Sequence, residues 1–307
     1  MRLRVFGEIS VPGDKSITHR ALMLAAAAEG ESRLRGLLAA EDCESTASVL
    51  RALRCEIPAL SGSGGELRLS SRGLHAWREP EVPLDCGNSG TTARLMLGLL
   101  AGRPFRATLT GDDSLRRRPM RRVIHPLREM GASVRELGGG DHLPVEIRGG
   151  ALREFRFRSP TASAQVKSAL LLAGLSGKVP VSVIEPTRSR DHTERMLQSL
   201  GVAVSEREQE GDWKVSFRPP EEPLPPLDLD VPGDPSSAAF FVALALLADH
   251  GELRIRGVGV NPTRTGFLQT VARMGGPVEL QEERIEGGEP VADLVVRPAR
   301  LRGTEGG

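Results

Sequence analysis

Four stretches of the chain are apolar at almost every position over about three helical turns. They begin at residues 16, 89, 163 and 236, and the fourth contains AAFFVALALLA. A helix that is hydrophobic on every face is typical of one buried on all sides. Each stretch is followed by a shorter segment such as HTERMLQSL, whose apolar residues recur at helical spacing and predict an amphipathic helix. The pattern predicts four pairs of helices, each with one fully buried member.

The helix pairs belong to a repeat. Each unit runs from a small or hydroxyl-rich turn through the buried helix to a short strand, a loop, the second helix and another strand, and the copies lie about 75 residues apart. We expect such units to bundle their apolar helices inside, with the sheets outside them. The proline-rich segment 218–226 is typical of a linker, and three units precede it while one follows.

Composition narrows the class of protein. The 41 Lys and Arg residues balance 40 Asp and Glu residues, which excludes a strongly basic nucleic-acid binder. With 8 Phe, 2 Trp and no Tyr, a stacking platform for single strands is disfavoured. The 3 cysteines form no C-x-x-C pair, which disfavours a zinc site and favours a reducing cytoplasm. The longest apolar stretches are shorter than the roughly 20 residues that cross a bilayer, so we expect no membrane span.

The starts of the buried helices are candidate anion sites, because a helix N-terminus presents unpaired N–H groups and the positive end of the helix dipole. At the first start, Arg20 lies four residues beyond Ser16 and follows Lys15, so one phosphate could contact all three. Ser16 could equally be an N-cap, with the two cations in solvent. From these residues alone, both interpretations stay open.

The next two helix starts carry similar signals. Gly87 and Gly90 would allow a ligand close to the backbone, although the turn lacks the G-K-[ST] ending of a P-loop. At the third start, Ser163 and Gln165 could contact a ligand or simply cap the helix. Each turn, taken singly, also fits a purely structural role.

Three residues outside these helix starts are further candidates. Arg118 is held extended by the proline that follows it and could project its guanidinium toward a carboxylate or phosphate. Arg190 lies at the start of another helix. His192 beside it could act as a general base, although no second His or carboxylate accompanies it at metal-ligand spacing.

Seven segments, taken in order, resemble the 5-enolpyruvylshikimate-3-phosphate synthase family: VPGDKSITHRALMLAA, LDCGNSGTTARLMLGLLAG, RRRPM, SAQVKSALLLAGL, TRSRDHTERML, VPGDPSSAAF and NPTRTGF. The resemblance runs from about residue 11 to residue 302. It implies the α/β enolpyruvyl transferase fold, in which each of two domains has three βαβαββ units and the active site lies between the domains. For this chain it implies a complete domain over 13–227 and a partial second domain over 1–12 plus 228–307, with about one of three units.

The resemblance implies transfer of the enolpyruvyl group of phosphoenolpyruvate to the 5-hydroxyl of shikimate 3-phosphate, with release of phosphate, on the pathway to chorismate. It implies no metal or organic cofactor. Lys15 is implied to be catalytic and to contact both substrates. The residues implied to bind shikimate 3-phosphate are Lys15, Ser16, Arg20, Ser163, Ala164, Gln165 and Arg190. Those implied to bind phosphoenolpyruvate are Lys15, Asn88, Gly90, Arg94, Arg118 and Gln165.

Members of the family continue beyond a segment like ADLVVRPARLRG with further segments that bear a catalytic Asp, a Glu, a Lys and arginines, whereas the printed sequence ends at GTEGG. We therefore expect a C-terminally truncated member whose 307 residues are inactive alone. The expected partners are the two small-molecule substrates, with no nucleic acid and no membrane. A complete protein is expected to be a cytoplasmic monomer. Gly90 occupies the position where glyphosate-insensitive members tend to carry Ala, which implies a glyphosate-sensitive pocket.

Two alternatives stay open. The sister family, which transfers enolpyruvate to a UDP-sugar, would open with a Lys-Asn pair where this chain has Lys15 and Ser16, and would carry a Cys in the loop at 111–118, which has none. A non-catalytic phosphate-ester binder would hold its ligand at the same helix starts without turnover.

Overall fold

The computed structural model describes residues 3–60 and 65–304, and within them the chain forms four mixed sheets and nine α-helices. In every sheet one pair of strands is parallel and the other pairs are antiparallel. This repetition matches the repeat seen in the sequence. The α/β class predicted from the sequence is confirmed.

The first helices of the first three units are buried and the second helix of each unit is amphipathic, as predicted. The first helix of each unit is α1 (Lys15–Ala27), α3 (Gly90–Ala101), α6 (Ala164–Gly177) or α8 (Pro235–Leu246). The second is α2 (Glu41–Ala52), α5 (Arg121–Met130), α7 (His192–Ser199) or α9 (Gly266–Arg273), and a short α4 (Asp113–Arg116) precedes α5.

The strands are given by sheet, in hydrogen-bonded order. The first sheet has β12 (Asp228–Asp230), β2 (Glu29–Arg35) and β3 (Leu67–Arg72), and the second has β4 (Leu84–Asp85), β5 (Arg106–Thr110), β7 (Val145–Arg148) and β6 (Ser133–Glu136). The third has β10 (Val204–Gln209), β11 (Asp212–Phe217), β9 (Val181–Glu185) and β8 (Phe155–Arg158). The fourth has β1 (Arg4–Ser10), β13 (His250–Gly259), β15 (Glu289–Val296) and β14 (Val278–Glu286).

Helices α1, α3 and α6 form the centre of the larger core. In α6, every residue from Val166 to Ser176 is buried. The backbones of α3 and α6 approach so closely that a Cβ at Gly98 would lie 2.1 Å from the carbonyl oxygen of Ala169. Only glycine fits this crossing, because real Cβ contacts are never so short. The all-round apolar pattern therefore predicted these three helices correctly.

Helix α8 departs from that pattern. Its inner face packs in a smaller core, where Ala238 and Val242 meet the sheet of β1, β13, β15 and β14. On its outer face Phe240 is 79% exposed and Leu247 is 67% exposed. The expectation that α8 is buried on all sides is wrong for the described residues, while the expected exposure of apolar side chains in AAFFVALALLA is confirmed.

The two cores exchange strands at a pair of PGD turns. The strand before α1, β1, pairs with β13, which follows α8, whereas the strand before α8, β12, pairs with β2, which follows α1. The turns themselves are joined, because the N–H of Asp14 donates to the Pro232 oxygen and the N–H of Asp234 donates to the Pro12 oxygen, both at 2.8 Å. The second crossing between the cores thus lies at the second of these turns.

Within the described ranges, no helix combines the length and apolar character needed to cross a bilayer.

Candidate functional site

The N-terminal turns of α1, α3 and α6 lie side by side. Gln165 Nε2 donates to Thr91 Oγ1 at 3.1 Å, which joins α6 to α3, and Arg20 donates to Ser168 Oγ at 2.8 Å, which joins α1 to α6. A side-chain oxygen caps each helix, supplied by Asp14, Ser89 and Ser163. The positive ends of three helices therefore converge. These are the helix starts that the sequence indicated as separate candidate anion sites.

Lys15 is the first residue of α1, and its side chain is half-exposed. Its ammonium pairs with the carboxylate of Asp42, on the first turn of α2. A cation this accessible can exchange its carboxylate partner for an anionic ligand. Ser16 beside it is partly exposed.

Arg20 is fully engaged by the protein. Its three nitrogens donate to the Ser16 carbonyl oxygen at 2.8 Å, to Ser168 Oγ at 2.8 Å and to Thr193 Oγ1 at 2.7 Å, and the residue is only 4% exposed. The sequence placed Arg20 correctly on the face of Ser16. It did not show that α6 and α7 would cover the guanidinium.

Five of the six residues expected around phosphoenolpyruvate come together in one cluster, and the sixth, Lys15, pairs with Asp42. Arg94 Nη1 donates to Gln165 Oε1 at 3.0 Å and to the Gly90 carbonyl oxygen at 3.3 Å. Arg118 donates to the Asn88 carbonyl oxygen at 3.2 Å and also to its side-chain oxygen. Burial, and after it the nearby charges of two arginines, lowers the pKa of Arg94. Such an excess of positive charge favours an anion.

Arg190 is the least constrained of the predicted cations. Its side chain makes no hydrogen bond or ion pair among the described residues. Burial, followed by the like charge of Arg264, lowers the pKa of Arg190, whereas Asp14 and Asp234 oppose that effect. The third helix start lies in the same region, and there the Ser163 N–H donates to Glu185 Oε1 at 2.7 Å and Ala164 begins α6.

His192 does not face the converging helix ends as an exposed base. It is 2% exposed, and its Nδ1 lies 2.7 Å from Oε1 of Glu289 on β15. This carboxylate is distant in sequence, which is why no partner was visible near His192. The pair ties α7 to the fourth sheet.

A buried cluster of charged side chains in α6 and its neighbours was not predicted from the sequence. Lys167 is completely buried in α6, with its Nζ 2.8 Å from Glu194 Oε1 and 3.1 Å from Glu185 Oε2. Burial favours the neutral lysine, but the two carboxylates outweigh it and raise the pKa of Lys167; burial raises the pKa of Glu194. A lysine inside an otherwise apolar helix was the available signal.

His19 is a buried residue of α1 whose side chain is expected to be neutral, and this expectation can be tested. Its Nδ1 lies 2.7 Å from Thr46 Oγ1, and burial, followed by the charge of Arg20, lowers the pKa of His19 from 6.5 to about 3. A group with a depressed pKa stabilises the fold fully above its unfolded pKa, and this contribution is lost as the pH falls toward the folded pKa.

We therefore expect the free energy of unfolding to fall between pH 6.5 and pH 3 more steeply in the natural chain than in His19→Gln. The excess should be about 4 kcal/mol, because one pKa unit corresponds to about 1.4 kcal/mol and most of the shift is expressed between these two pH values. Urea unfolding at intervals of pH measures it. Parallel pH profiles for the two chains would refute a neutral, buried His19.

Among residues 3–60 and 65–304, no group of three or more His, Cys, Asp or Glu side chains is placed to hold a metal ion. The candidate site consists of helix ends, hydroxyl groups and cations.

Known proteins share this architecture. A sequence model of EPSP synthase (3-phosphoshikimate 1-carboxyvinyltransferase) matches residues 2–305. A 3-phosphoshikimate 1-carboxyvinyltransferase of Desulfitobacterium hafniense is 50% identical over 302 residues, covering 98% of this chain and 68% of its own length. The solved EPSP synthase of Acinetobacter baumannii is 39% identical with a TM-score of 0.89, over 99% of this chain and 66% of that one.

A more distant structure shows the same fold. The enolpyruvyl transferase NikO of Streptomyces tendae is 19% identical, with a TM-score of 0.72 over 97% of this chain. The chain spans about two thirds of the length of these relatives. The match over nearly all of its residues nevertheless shows that it belongs to the EPSP synthase (3-phosphoshikimate 1-carboxyvinyltransferase) family of transferases.

Proposed function

We propose that this chain takes part in transferring the enolpyruvyl group of phosphoenolpyruvate to the 5-hydroxyl of shikimate 3-phosphate, with release of phosphate. The observation that carries the proposal is the convergence of three helix N-termini with accessible cations on different elements. Two substrates that both carry phosphate and carboxylate groups repel each other, and a site for them needs several cations to offset that repulsion. The names of the relatives give 3-phosphoshikimate and the transferred carboxyvinyl group, and phosphoenolpyruvate as the donor of that group is part of this proposal.

In this proposal, shikimate 3-phosphate lies along the starts of α1 and α6. Lys15, Ser16, Arg20 and Arg190 and the turn Ser163, Ala164 and Gln165 bind it. Arg20 would contact the substrate by exchanging its bond to the Ser16 carbonyl oxygen.

Phosphoenolpyruvate occupies the neighbouring cluster at the start of α3. Its binding residues are Lys15, Asn88, Gly90, Arg94, Arg118 and Gln165. Gln165 stands between the two subsites, because it lies in the first turn of α6 while its side chain bonds Arg94 and Thr91 of α3. Lys15 is assigned to both substrates and is therefore the catalytic residue of the proposal.

The reaction requires one proton to reach the methylene carbon and another to leave the attacking hydroxyl. Among the described residues, His19, His192 and Glu289 are buried, and Asp42 is held by Lys15. This observation favours a second candidate for the 307-residue polypeptide studied by itself, namely binding of phosphate esters without turnover. The 50% identity to a shikimate-pathway enzyme favours shikimate 3-phosphate over a UDP-sugar in either case.

Calorimetric titration followed by a phosphate-release assay separates these functions. Binding of shikimate 3-phosphate, with phosphate release once phosphoenolpyruvate is added, supports the synthase. Binding without release supports the phosphate-ester binder. Binding of a UDP-sugar in preference to shikimate 3-phosphate would refute shikimate 3-phosphate as the ligand.

Gly90→Ala tests the second subsite. A Cβ at this position would lie 2.6 Å from Arg94 Nη1 and 3.5 Å from Arg118 Nη1, so the Arg94 guanidinium must shift away from the Gly90 carbonyl and from Gln165. We expect the Kd of phosphoenolpyruvate, and of glyphosate, to rise about tenfold, as expected for one weakened charge-assisted hydrogen bond. Titration with each ligand in the presence of shikimate 3-phosphate measures this. Gly266→Ala is the control, since a Cβ there meets nothing within 4 Å. Equal affinities in both variants and the natural chain would contradict the assignment.

We also propose that the domain division of the family applies here. The first three units surround α1, α3 and α6, and α8 occupies in the smaller core the position that α1 has in the larger one, because each helix follows a PGD turn. By this analogy, two helices equivalent to α3 and α6 would cover Phe240 and Leu247. The free, buried Cys43 and Cys86 support a reducing cytoplasmic location, and the near-zero net charge supports the absence of nucleic-acid partners. That the complete protein is a monomer stays a prediction.

A further inference from the structure

The two PGD turns place a pair of carboxylates close together at the junction of the cores. Asp14 Oδ1 accepts from the Ile17 N–H at 2.9 Å and caps α1, and Asp234 Oδ1 accepts from the Ser236 N–H at 2.8 Å and caps α8. The reciprocal backbone bonds of the turns fix the two caps beside each other. Two negative charges thus stand next to the helix start that is proposed to bind a phosphate.

Arg264 bridges both carboxylates. Its Nη1 donates to Asp14 Oδ2 at 3.0 Å, and its Nη2 donates to Asp234 Oδ1 at 3.1 Å and to Ser236 Oγ at 2.8 Å. The side chain is only 6% exposed, so the bridge is shielded from solvent and from salt.

The turn that carries Arg264 is itself held in place. The Asn261 side-chain oxygen accepts from the Thr263 N–H at 2.9 Å, and the Asn261 amide donates to Asp191 and Glu289 at 2.7 and 2.9 Å. The guanidinium is therefore presented by a bonded framework on the segment between β13 and α9. None of these contacts involves a residue assigned to a substrate.

The charges around the Arg264 bridge indicate its role. Among the charged groups that act on Arg190, the exposed cation proposed to bind shikimate 3-phosphate, Asp14 and Asp234 oppose the like charge of Arg264. With Arg264 present, the four side chains are neutral in sum. Without it, two carboxylates would oppose a phosphate dianion at Arg190, and Asp14 would draw that arginine toward itself.

We propose that Arg264 is a positioning residue for the phosphate of shikimate 3-phosphate. It neutralises the cap carboxylates of α1 and α8, so that Arg190 and the start of α1 stay available to the phosphate. This inference rests on the proposed function, and it adds a residue whose effect on the ligand passes through Asp14 and Asp234.

Four chains test it: the natural sequence, Arg264→Lys, Arg264→Gln, and Arg264→Gln combined with Asp234→Asn. Asn caps a helix about as well as Asp, so the second substitution removes a charge and keeps the cap of α8. Each chain is titrated calorimetrically with shikimate 3-phosphate, with shikimate and with inorganic phosphate. Thermal unfolding of each chain identifies any that has lost its fold.

We expect Arg264→Gln to raise the Kd of shikimate 3-phosphate about tenfold, the scale of one unbalanced charge in a partly screened site. The double variant should return to within about threefold of the natural chain, and Arg264→Lys should lie between them. Shikimate, which has no phosphate, should bind all four chains alike. A purely structural role would weaken both ligands and would not be rescued by Asp234→Asn.

Unchanged binding in Arg264→Gln, an unrescued double variant or equal losses for shikimate would each overturn the inference. If Arg264→Gln does not fold, the comparison of Arg264→Lys with Arg264→Lys combined with Asp234→Asn decides the question by the same criterion. If the natural chain binds no shikimate 3-phosphate, the proposed function fails. The inference is then judged by inorganic phosphate, for which the same order of affinities supports it and equal affinities overturn it.

Discussion

Lys15→Ala is expected to cause the largest loss of ligand binding among the substitutions at the proposed site. The ammonium begins α1, is half-exposed and is assigned to both substrates, so its removal loses a charge-assisted contact to each. We expect the Kd of shikimate 3-phosphate to rise by a factor of about 30, equivalent to about 2 kcal/mol. Any preparation that releases phosphate should lose that activity by a factor of about 10³, as for removal of a group that stabilises the transition state.

Asp42→Asn is the matched control, because it removes the partner of Lys15 and leaves the ammonium in place. It should bind shikimate 3-phosphate at least as tightly as the natural chain, since Lys15 would no longer exchange a carboxylate for the ligand. Lys15→Arg keeps the charge and changes its shape. If Lys15→Ala binds shikimate 3-phosphate normally, or if Asp42→Asn loses as much affinity as Lys15→Ala, then Lys15 is not part of the binding site.

Local patterns in the sequence predicted those parts of the fold that depend on neighbouring residues. Ser163 caps α6, and α3 and α6 are buried. Both features depend on residues within about four positions of each other. Because the repeats lie at a constant spacing, the sequence also predicted that the starts of the buried helices occupy equivalent positions in their units.

Contacts between distant segments could not be read in this way. Arg20 is covered by Thr193 of α7, and His192 finds its carboxylate on β15, nearly a hundred residues further along. The first contact joins α1 to α7, which pack together in the larger core, and the second joins that core to the fourth sheet. The cores exchange β1 and β12 at the PGD turns. The same exchange places Arg264 against Asp14.

The exposed face of α8 illustrates a different limit. Its sequence is as apolar as that of α3, and the pattern predicts burial for both. Burial, however, needs a neighbour as well as an apolar side chain, and the neighbours of α8 among the described residues lie on one side only. A hydrophobic pattern thus reports what a helix can bury, and the packing decides how much it does bury.

Lys167→Met is expected to have the largest effect on stability. The thioether chain occupies much of the lysine's volume, so the main change is that Glu185 and Glu194 lose their cation inside the larger core. Leaving a buried carboxylate unpaired costs about 3–5 kcal/mol. That is a large share of the roughly 5–15 kcal/mol that stabilises a typical fold. Urea unfolding measures it, with Lys214→Met on the partly exposed strand β11 as the control.

The pH dependence separates the buried charge from lost packing. Burial raises the pKa of Glu194, and a group with a raised pKa stabilises the fold below its unfolded pKa and loses that contribution as the pH rises through the folded value. Without Lys167 this effect should grow, so Lys167→Met should be more destabilised relative to the natural chain at pH 8 than at pH 5. Equal destabilisation at both values would show that packing alone is lost.

The same substitution should reach the proposed site. Glu185 Oε1 accepts from the Ser163 N–H at 2.7 Å, and its Oε2 accepts from Ser189 Oγ at 2.6 Å, next to Arg190. A carboxyl group that becomes protonated, or moves to find water, would release the start of α6 and the segment before α7 together. In a Lys167→Met chain that remains folded, we therefore expect weaker binding of shikimate 3-phosphate with phosphoenolpyruvate affinity less affected. In the phosphoenolpyruvate cluster only Gln165 belongs to α6, whereas Arg94 also donates to the Pro119 oxygen and Arg118 donates to the Asn88 oxygen.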